Sequence, residues 1–330
     1  MRGTASHFNY SESENIPRGG TMAEIHLRSY AKINLSLDVT GTRPDGYHDL
    51  SSVMQRISLF DRIHIEWLPD SDSGTAEDAN PDIRIKLSCN RPYLPTDERN
   101  LAYKAALIMI REFGREQGAG SGLIRISIAK NIPVAAGLAG GSGNGAAVLI
   151  GLNRLWNLNL NTRQLCLLGE ELGSDVPFCI LVQNSRYRAA LATGRGEVLQ
   201  PLRKSMKKHI VLAKPAFGVS TKEVFKFIDD YEIMQRPDNQ ELIHGLASGK
   251  DGLVYKNMIN VLELYTLDRY EPVKQLKELF QKETDAEFVL MSGSGPTVFA
   301  VYPSEKAAKQ ACMMLRGLRY EAYWASTDGH

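Results

Sequence analysis

The sequence predicts an α+β protein of two domains, and three observations lead to this prediction. The chain has 330 residues, more than one hydrophobic core usually serves, and 43% of them are hydrophobic. Alternating apolar residues predict strands at 31–39 and 124–128, and the second strand leads through a glycine-rich loop into a helix. Residues 288–302 read as strand, glycine turn and strand, followed by a helix and a last strand, which is typical of an α+β sandwich. We expect a flexible tail at 1–21, a first domain at 22–185 and a second domain at 186–330.

Composition and charge exclude several classes of protein. A net charge of +1 with scattered basic residues provides no basic face for nucleic acid, although it is compatible with a small phosphorylated ligand. No apolar run reaches the roughly 18 residues of a membrane helix, and the N-terminus lacks the apolar core of a signal peptide. The cysteines are too widely spaced to indicate a zinc site or a disulfide framework: Cys89, Cys166, Cys179 and Cys312. We expect a cytoplasmic protein, monomeric or weakly dimeric, without a nucleic-acid or membrane partner.

The first structured element is the strand at 31–39, in which apolar and polar side chains alternate strictly. One face carries Ile33, Leu35, Leu37 and Val39, and the other carries Lys32, Asn34, Ser36 and Asp38. An edge strand with a solvated polar face is the usual interpretation of such a pattern. A functional role for the polar face stays open at this point.

A turn at 41–49 follows, and Pro44-Asp-Gly46 supplies the turn chemistry that holds Tyr47 and His48 at fixed positions. Local patterns then predict a strand at 53–65, an acidic surface loop at 68–81, a strand at 83–89, a helix at 100–113 and the strand at 124–128.

The glycine-rich loop predicts a phosphate cradle. Glycine has no Cβ, so its backbone takes positive φ and brings N–H groups close to an anion. The amphipathic helix that begins near Ser142 adds its positive dipole end. A Walker A motif is excluded because no lysine follows the glycines, and only half of a dinucleotide-binding fingerprint is present. A plain glycine turn before a core helix remains an alternative. The glycines are Gly137, Gly140, Gly141, Gly143 and Gly145.

Asp175 lies in a turn after the next predicted helix. That helix has a capping box formed by Asn161 and Gln164, and Gly173 is expected to close it. Asp175 then precedes the apolar run 176–182, where aspartate is an ordinary helix N-cap. Taken alone, the residue favours this capping role over catalysis.

The second half continues with shorter elements. Ser220 is expected to cap a helix that carries Thr221 and Phe225. The other predicted elements are a turn at 192–197, a strand at 210–214, polar surface at 235–252, a helix at 270–284, the strands within 288–302, a helix at 304–316 and a strand at 320–324.

Three segments together resemble the motifs of the GHMP kinases: Ala31-Lys-Ile-Asn34, Pro133-x-x-x-Gly137-Leu-x-Gly-Gly-Ser142 and Ser292-Gly-Ser-Gly295. The resemblance implies a two-domain GHMP kinase fold. Its N-terminal domain is a ribosomal-protein-S5-like α/β domain, its C-terminal domain is ferredoxin-like, and both substrates bind in the cleft between them. It also implies ATP and Mg²⁺ as cofactors.

Further motifs are similar to one branch of that family, which phosphorylates the 2-hydroxyl of 4-diphosphocytidyl-2-C-methyl-D-erythritol in the non-mevalonate isoprenoid pathway. Two alternatives stay open: another GHMP small-molecule kinase, of homoserine or mevalonate type, and a nucleotide-binding protein without turnover. The matching segments are 43–48, 100–106, 130–133, 173–178, 194–197 and 214–221.

The resemblance assigns roles residue by residue. It makes Lys32 and Asp175 the catalytic residues, and it assigns no metal ligand. The ATP-binding residues would be Pro133, Gly137, Leu138, Gly140, Gly141, Ser142, Gly143, Asn100, Lys130 and Asn131. The substrate-binding residues would be Asn34, Tyr47, His48, Thr221 and Phe225, with Tyr47 and Phe225 stacking on the cytosine and His48 reading its edge. The loop departs from the family at Ala139, Gly143 and Gly145, and Gly143 replaces a serine whose hydroxyl could touch phosphate or metal.

Overall fold

A computed structural model of the chain describes residues 22–70, 82–114 and 121–327, so the predicted tail at 1–21 and most of the loop at 68–81 lie outside it. The strands are β1 (Ala23–Asn34), β2 (Asp38–Thr42), β3 (His48–Pro69), β4 (Ile83–Cys89), β5 (Gly122–Ala129), β6 (Ala189–Gly194), β7 (Val198–Leu202), β8 (His209–Lys214), β9 (Phe288–Met291), β10 (Val298–Tyr302) and β11 (Glu321–Ser326). The helices are α1 (Leu101–Phe113), α2 (Gly140–Leu155), α3 (Thr162–Glu170), α4 (Val176–Gln183), α5 (Thr221–Phe227), α6 (Asn239–Ser248), α7 (Asp251–Asn257), α8 (Glu263–Arg269), α9 (Glu271–Glu283) and α10 (Glu305–Gly317).

A seven-stranded sheet forms the first half of the fold around the long strand β3. The first part of β3 pairs with β2 and β6, and its last part pairs with β1 and β5. The sheet is antiparallel except between β4 and β5. Helices α1, α2 and α4 bury their apolar faces against β3 and β5, in a core that includes Ile65, Ile126 and Val148. This packing fixes the start of α2 above the sheet.

The second half contains a four-stranded antiparallel sheet in the order β11-β8-β10-β9. Helices α9 and α10 cover one face of it through residues such as Phe280 and Leu315. Its other face contributes Leu212 and Phe299 to a core that also contains Ile33 of β1. The two sheets therefore share one continuous core, and the α+β class predicted from the sequence is confirmed.

The division between the sheets falls later than the predicted boundary at 185. Strands β6 and β7 follow that position, yet β6 pairs with residues 50–55 of β3 and β7 pairs with β6. By sheet membership the first unit extends to Leu202 and the second begins at His209. The sequence could not show this, because the pairing joins segments about 140 residues apart and leaves no local signal.

The solvated polar face that is usual for the strand at 31–39 is wrong. All four side chains of this face are buried, at 0–7% exposed: Lys32, Asn34, Ser36 and Asp38. The regular strand also breaks after Asn34, and β2 begins at Asp38. The face is covered because the glycine-rich loop hydrogen-bonds to the Lys32 backbone and Arg236 pairs with Asp38. Such a buried row of polar side chains needs partners, and these partners belong to the candidate site.

Most other predicted elements are confirmed to within a few residues, including the capping box of Asn161 and Gln164. The predicted closure of α3 by Gly173 is wrong, since the helix ends at Glu170 and the C-cap is Glu171. All four cysteines are free. Among the described residues, no helix is both long enough and apolar enough to span a bilayer.

Candidate active site

The glycine-rich loop delivers the N-terminus of α2 to the surface with no side-chain cap. Ala139 occupies the N-cap position in the left-handed conformation, at φ 54°, and makes no side-chain hydrogen bond to the helix. The first N–H groups of a helix have no acceptor within that helix, so Gly140, Gly141 and Ser142 present donors to an external group. Gly141 is exposed and Ser142 is half-buried. An uncapped 16-residue helix that starts in glycines fits a phosphate group.

The loop and the Ser292–Gly295 turn pack backbone against backbone. Gly137 has φ +69°, and a Cβ at this position would lie 2.3 Å from the carbonyl oxygen of Ser292. The Ser292 hydroxyl donates to the Gly137 carbonyl at 3.1 Å. The Asn260 amide donates to the Met291 and Gly293 carbonyls and so fixes the turn. Gly137 therefore serves this close approach.

Lys32 and Asp175 meet beside the loop. Lys32 Nζ lies 3.7 Å from Asp175 Oδ2 and donates to Asn34 Oδ1 at 2.7 Å. The Lys32 side chain is 5% exposed, whereas the Asp175 side chain is 39% exposed and so remains accessible. The Lys32 backbone N–H donates to the Leu138 carbonyl at 3.1 Å, which places the pair next to the glycine-rich loop. Asn34 Nδ2 in turn donates to Ser52 Oγ at 2.8 Å.

Asp175 holds the N-cap position of α4 without capping it. The side chain makes no hydrogen bond to the first turn of that helix, and Pro177 removes one of the donors that a cap would serve. The ordinary capping role considered from the sequence is therefore not the role of this carboxylate. Burial, and secondarily the Asp175 charge, raise the pKa of the neighbouring Cys179 thiol far above its usual range. A thiol held neutral in this way is a poor nucleophile, so Cys179 is not a candidate nucleophile at this position.

The predicted substrate residues line the same region from both halves of the molecule. Thr221, the first residue of α5, shares a 2.8 Å hydrogen bond with Ser294 of the glycine turn. The His48 ring lies against Phe225, with ring centroids 5.5 Å apart, and His48 Nε2 is 3.1 Å from Asp229 Oδ2. These contacts bring the start of β3 onto α5.

Tyr47 and Phe225 do not stack on each other. Tyr47 is 57% exposed, and the Arg195 guanidinium lies 5.4 Å from the centroid of its ring. Arg195 comes from the tight turn between β6 and β7. The arrangement leaves one face of Tyr47 accessible, while Phe225 contacts His48.

Lys130, which the resemblance makes a nucleotide contact, is buried in the structure. Its Nζ forms an ion pair with Asp61 in the interior, where the two side chains are 5% and 0% exposed. Asp61 Oδ1 also accepts from the Asn131 and Ile132 backbone N–H groups at 2.7 and 2.8 Å. Asn131 donates its side-chain amide to the Phe60 carbonyl. This buried network supports the strand end ahead of the loop.

Several other predicted ATP residues face the protein interior or have structural contacts. A Cβ at Gly140 would lie 2.6 Å from Lys130 Nζ, and one at Gly143 would lie 2.6 Å from Ser29 Oγ, so both positions face the interior. A serine at 143 would meet Ser29 rather than a phosphate or metal. Asn100 caps α1 through Ala102 and donates to the Pro95 carbonyl, while Pro133 and Leu138 are buried.

Sequence reasoning did not assign five residues that the structure places at or under the site: Asp61, Ser292, Ser294, Asp229 and Arg195. Ser292 and Ser294 stood in a recognised motif, and Arg195 stood in a matched turn. Asp61 left one usable signal, a carboxylate within an otherwise apolar-patterned strand. Asp229 left none.

Comparisons with known proteins agree with this architecture. The family descriptions for the GHMP kinases N terminal domain and the GHMP kinases C terminal match residues 100–183 and 235–317. A 4-diphosphocytidyl-2-C-methyl-D-erythritol kinase of Clostridium perfringens is 43% identical over 88% of this chain and 93% of that protein. One of Exiguobacterium sibiricum is 43% identical over 91% of this chain and 96% of that protein.

Solved structures give the same result. A crystal structure of 4-(cytidine 5'-diphospho)-2C-methyl-D-erythritol kinase superposes with a TM-score of 0.72 at 29% identity, over 92% of this chain and 98% of that one. A homoserine kinase from Cytophaga hutchinsonii shares the fold, with a TM-score of 0.65 at 16% identity over 96% of both chains. Fold and matched domains together define a GHMP kinase. Within that class, the chain belongs to the family of 4-diphosphocytidyl-2-C-methyl-D-erythritol kinases.

Proposed function

We propose that this protein transfers the γ-phosphoryl group of ATP to the 2-hydroxyl of 4-diphosphocytidyl-2-C-methyl-D-erythritol. The observation that carries the proposal is the Lys32–Asp175 pair, 3.7 Å apart beside the uncapped start of α2. Relatives named for this substrate are 43% identical over most of the chain. In the reaction the hydroxyl oxygen attacks the γ-phosphorus, its proton passes to the Asp175 carboxylate, and ADP leaves.

Asp175 and Lys32 have complementary roles in this scheme. A tertiary alcohol is a poor nucleophile at neutral pH, so a positioned carboxylate that takes its proton accelerates attack. The Lys32 ammonium, held by Asn34, faces the oxygen that gains negative charge as the proton departs. Asp175 is exposed enough to reach the substrate, while Lys32 is fixed from below. The pair therefore combines a reachable base with a rigid cation.

The start of α2 is suited to the triphosphate. The free N–H groups of Gly140, Gly141 and Ser142, together with the helix dipole, supply positive potential without a Walker lysine. Mg²⁺ would neutralise phosphate charge at this position, and Ser142 is the nearest hydroxyl, although we assign no metal ligand. The Lys130–Asp61 ion pair lies beneath Gly140, so we assign Lys130 to support of the loop.

The aromatic groups at the start of β3 and on α5 favour the cytidyl substrate over the alternatives. A cytosine ring has two π faces and an edge with donor and acceptor atoms. The accessible face of Tyr47, the Phe225 ring and the His48 imidazole offer matching partners. Asp229, 3.1 Å from His48 Nε2, fixes which ring nitrogen carries the proton. Homoserine and mevalonate have no ring to use these groups.

A kinase assay tests the activity directly. ADP release is measured with the diphosphocytidyl substrate, homoserine and mevalonate under identical ATP and Mg²⁺ concentrations. We expect turnover with the first substrate alone. Turnover with homoserine or mevalonate would show that the protein is a GHMP kinase of another substrate specificity. ATP binding without any ADP release would indicate a nucleotide-binding protein without turnover.

Replacing Tyr47 or Phe225 with alanine is expected to raise the KM for the cytidyl substrate severalfold, because each stacked ring contributes on the order of 1 kcal/mol beyond area burial. The KM for ATP should stay within error of the wild-type value. Phe225 also packs against the core beneath helices α9 and α10, so circular dichroism must confirm that the Phe225→Ala variant is folded. Trp324→Ala is the matched control, since this ring is 41% exposed and lies on β11 against Lys309 of α10. If the KM for ATP rises instead, the cytosine site has been assigned to the wrong residues.

A further inference from the structure

Two histidines and a glutamate meet on the outer surface of the first sheet, at the start of β1. His26 of β1 lies directly opposite His64 of β3 in the antiparallel register, and their rings stack with centroids 4.1 Å apart and planes 5° from parallel. Glu24, two residues before His26, is on the same face of the strand. Its Oε2 atom is 2.9 Å from His64 Nε2.

The three side chains present metal-ligand atoms at nearly the required spacing. One imidazole nitrogen from each histidine and one carboxylate oxygen of Glu24 all lie within 4.8 Å of one another. In a tetrahedral zinc site with bonds of roughly 2.0–2.2 Å, neighbouring ligand atoms are about 3.4 Å apart. An imidazole nitrogen binds a metal in the plane of its ring, so the two stacked rings must turn towards one ion by rotation of their side chains before all three atoms reach bonding distance. Glu24 and His26 are exposed and His64 is half-buried, so an ion enters from solvent and a fourth position stays open to water.

Glu24 is the acidic member of the cluster and places a negative charge next to two imidazoles. Glu66, opposite Glu24, is paired with Arg125 at 3.0 Å. Arg28 and Arg62 continue the two strands on the same face, and both guanidinium groups lie over the Phe60 ring. A bound cation would therefore depend on its three ligand bonds rather than on a surplus of negative charge around them.

This cluster is separate from the proposed active site. Glu24 stands at the beginning of β1 and Lys32 near its end. Eight residues of extended chain at about 3.3 Å each separate them by roughly 26 Å. Occupancy of the cluster would therefore have no direct contact with phosphoryl transfer.

We propose that Glu24, His26 and His64 form a divalent transition-metal site, with Zn²⁺ as the preferred ion. Two imidazoles and one carboxylate with an open fourth position are a ligand set that zinc uses in proteins. The ion would join β1 to β3 at the start of the sheet and tie down the first strand of the fold. Glu24 would exchange its hydrogen bond to His64 for a bond to the metal.

Titration of the full-length, untagged protein with ZnCl₂ tests the proposal, because a polyhistidine tag would itself bind zinc. Isothermal titration calorimetry is expected to show one strong site per chain, and zinc should raise the Tm. Co²⁺ in place of zinc should give the visible absorption of a low-symmetry site. His26→Gln and His64→Gln should each raise the Kd at least about tenfold, since even outer partners of metal ligands contribute 10–100-fold.

His244→Gln is the matched control, because His244 is also exposed but lies on α6, far along the chain from the cluster. It should bind zinc as the wild type does. The metal-free Tm of each variant shows whether it folds. The proposal is overturned if the wild type binds no zinc, or if folded His26→Gln and His64→Gln variants bind it with unchanged Kd. A loss in His244→Gln equal to theirs would also overturn it.

Discussion

Replacing Asp175 with asparagine is expected to lower kcat for the cytidyl substrate by roughly a hundredfold or more, the usual contribution of a positioned acid–base group. The change keeps the size of the side chain and its place beside Lys32, but the amide cannot accept the proton of the attacking hydroxyl. Because Asp175 makes no capping hydrogen bond to α4, the substitution should leave the stability of that helix unchanged. The loss should therefore appear in kcat, with the KM for ATP nearly constant.

Steady-state kinetics with both substrates, together with a thermal unfolding scan, provide this measurement. Asp268→Asn is the control, since that carboxylate is exposed and bonds to the Tyr231 hydroxyl outside the site. Lys32→Met should also reduce kcat, but it additionally frees Asn34 from its 2.7 Å hydrogen bond. Near-normal turnover in Asp175→Asn would exclude a proton-accepting role and would leave Lys32 and the helix terminus to account for catalysis.

Local sequence signals predicted the helices and strands well. They could not predict which distant strands pair with one another in a sheet. The capping box of Asn161 and Gln164 spans three residues, so its whole cause is visible in the sequence. The membership of β6 in the first sheet depends instead on pairing with β3, and no residue within β6 records that partner. The predicted boundary at 185 therefore does not coincide with the division between the two sheets.

The same distinction applies to the site. Gly137 was predicted from its place in a motif, and the structure adds its physical reason, the approach of the Ser292 carbonyl. Asp175 was ambiguous alone, because aspartate before an apolar run is compatible with both a cap and a base. The structure shows no capping bond from Asp175, and the nearby Lys32 supports the proposed role as a base. Lys130 was assigned to ATP from its place in a matched segment, and its ion pair with Asp61, 69 residues earlier in the chain, is visible only in the structure.

The Asp61–Lys130 pair leads to the largest expected effect on stability. Asp61 is completely buried and accepts from Lys130 and from two backbone N–H groups, at Asn131 and Ile132. Replacing Asp61 with leucine leaves the Lys130 ammonium and both N–H groups in the interior without this acceptor. Loss of one partner from a buried ion pair costs about 3–5 kcal/mol. Asp61→Leu should therefore lower the urea midpoint strongly and raise the KM for ATP, because Lys130 also supports Gly140.

A double variant separates the cost of an unpaired charge from a loss of packing. Removing both charges in Asp61→Leu/Lys130→Met eliminates the uncompensated ammonium, so its urea midpoint should lie above that of Asp61→Leu alone. The two backbone N–H groups remain without their carboxylate, so recovery should be partial. Glu278→Ala, which breaks an exposed pair with Lys282, should leave the midpoint unchanged. If the double variant is instead as unstable as the sum of the two single variants, the two charges are not coupled. Asp61 would then stabilise the loop only by accepting the backbone hydrogen bonds of Asn131 and Ile132.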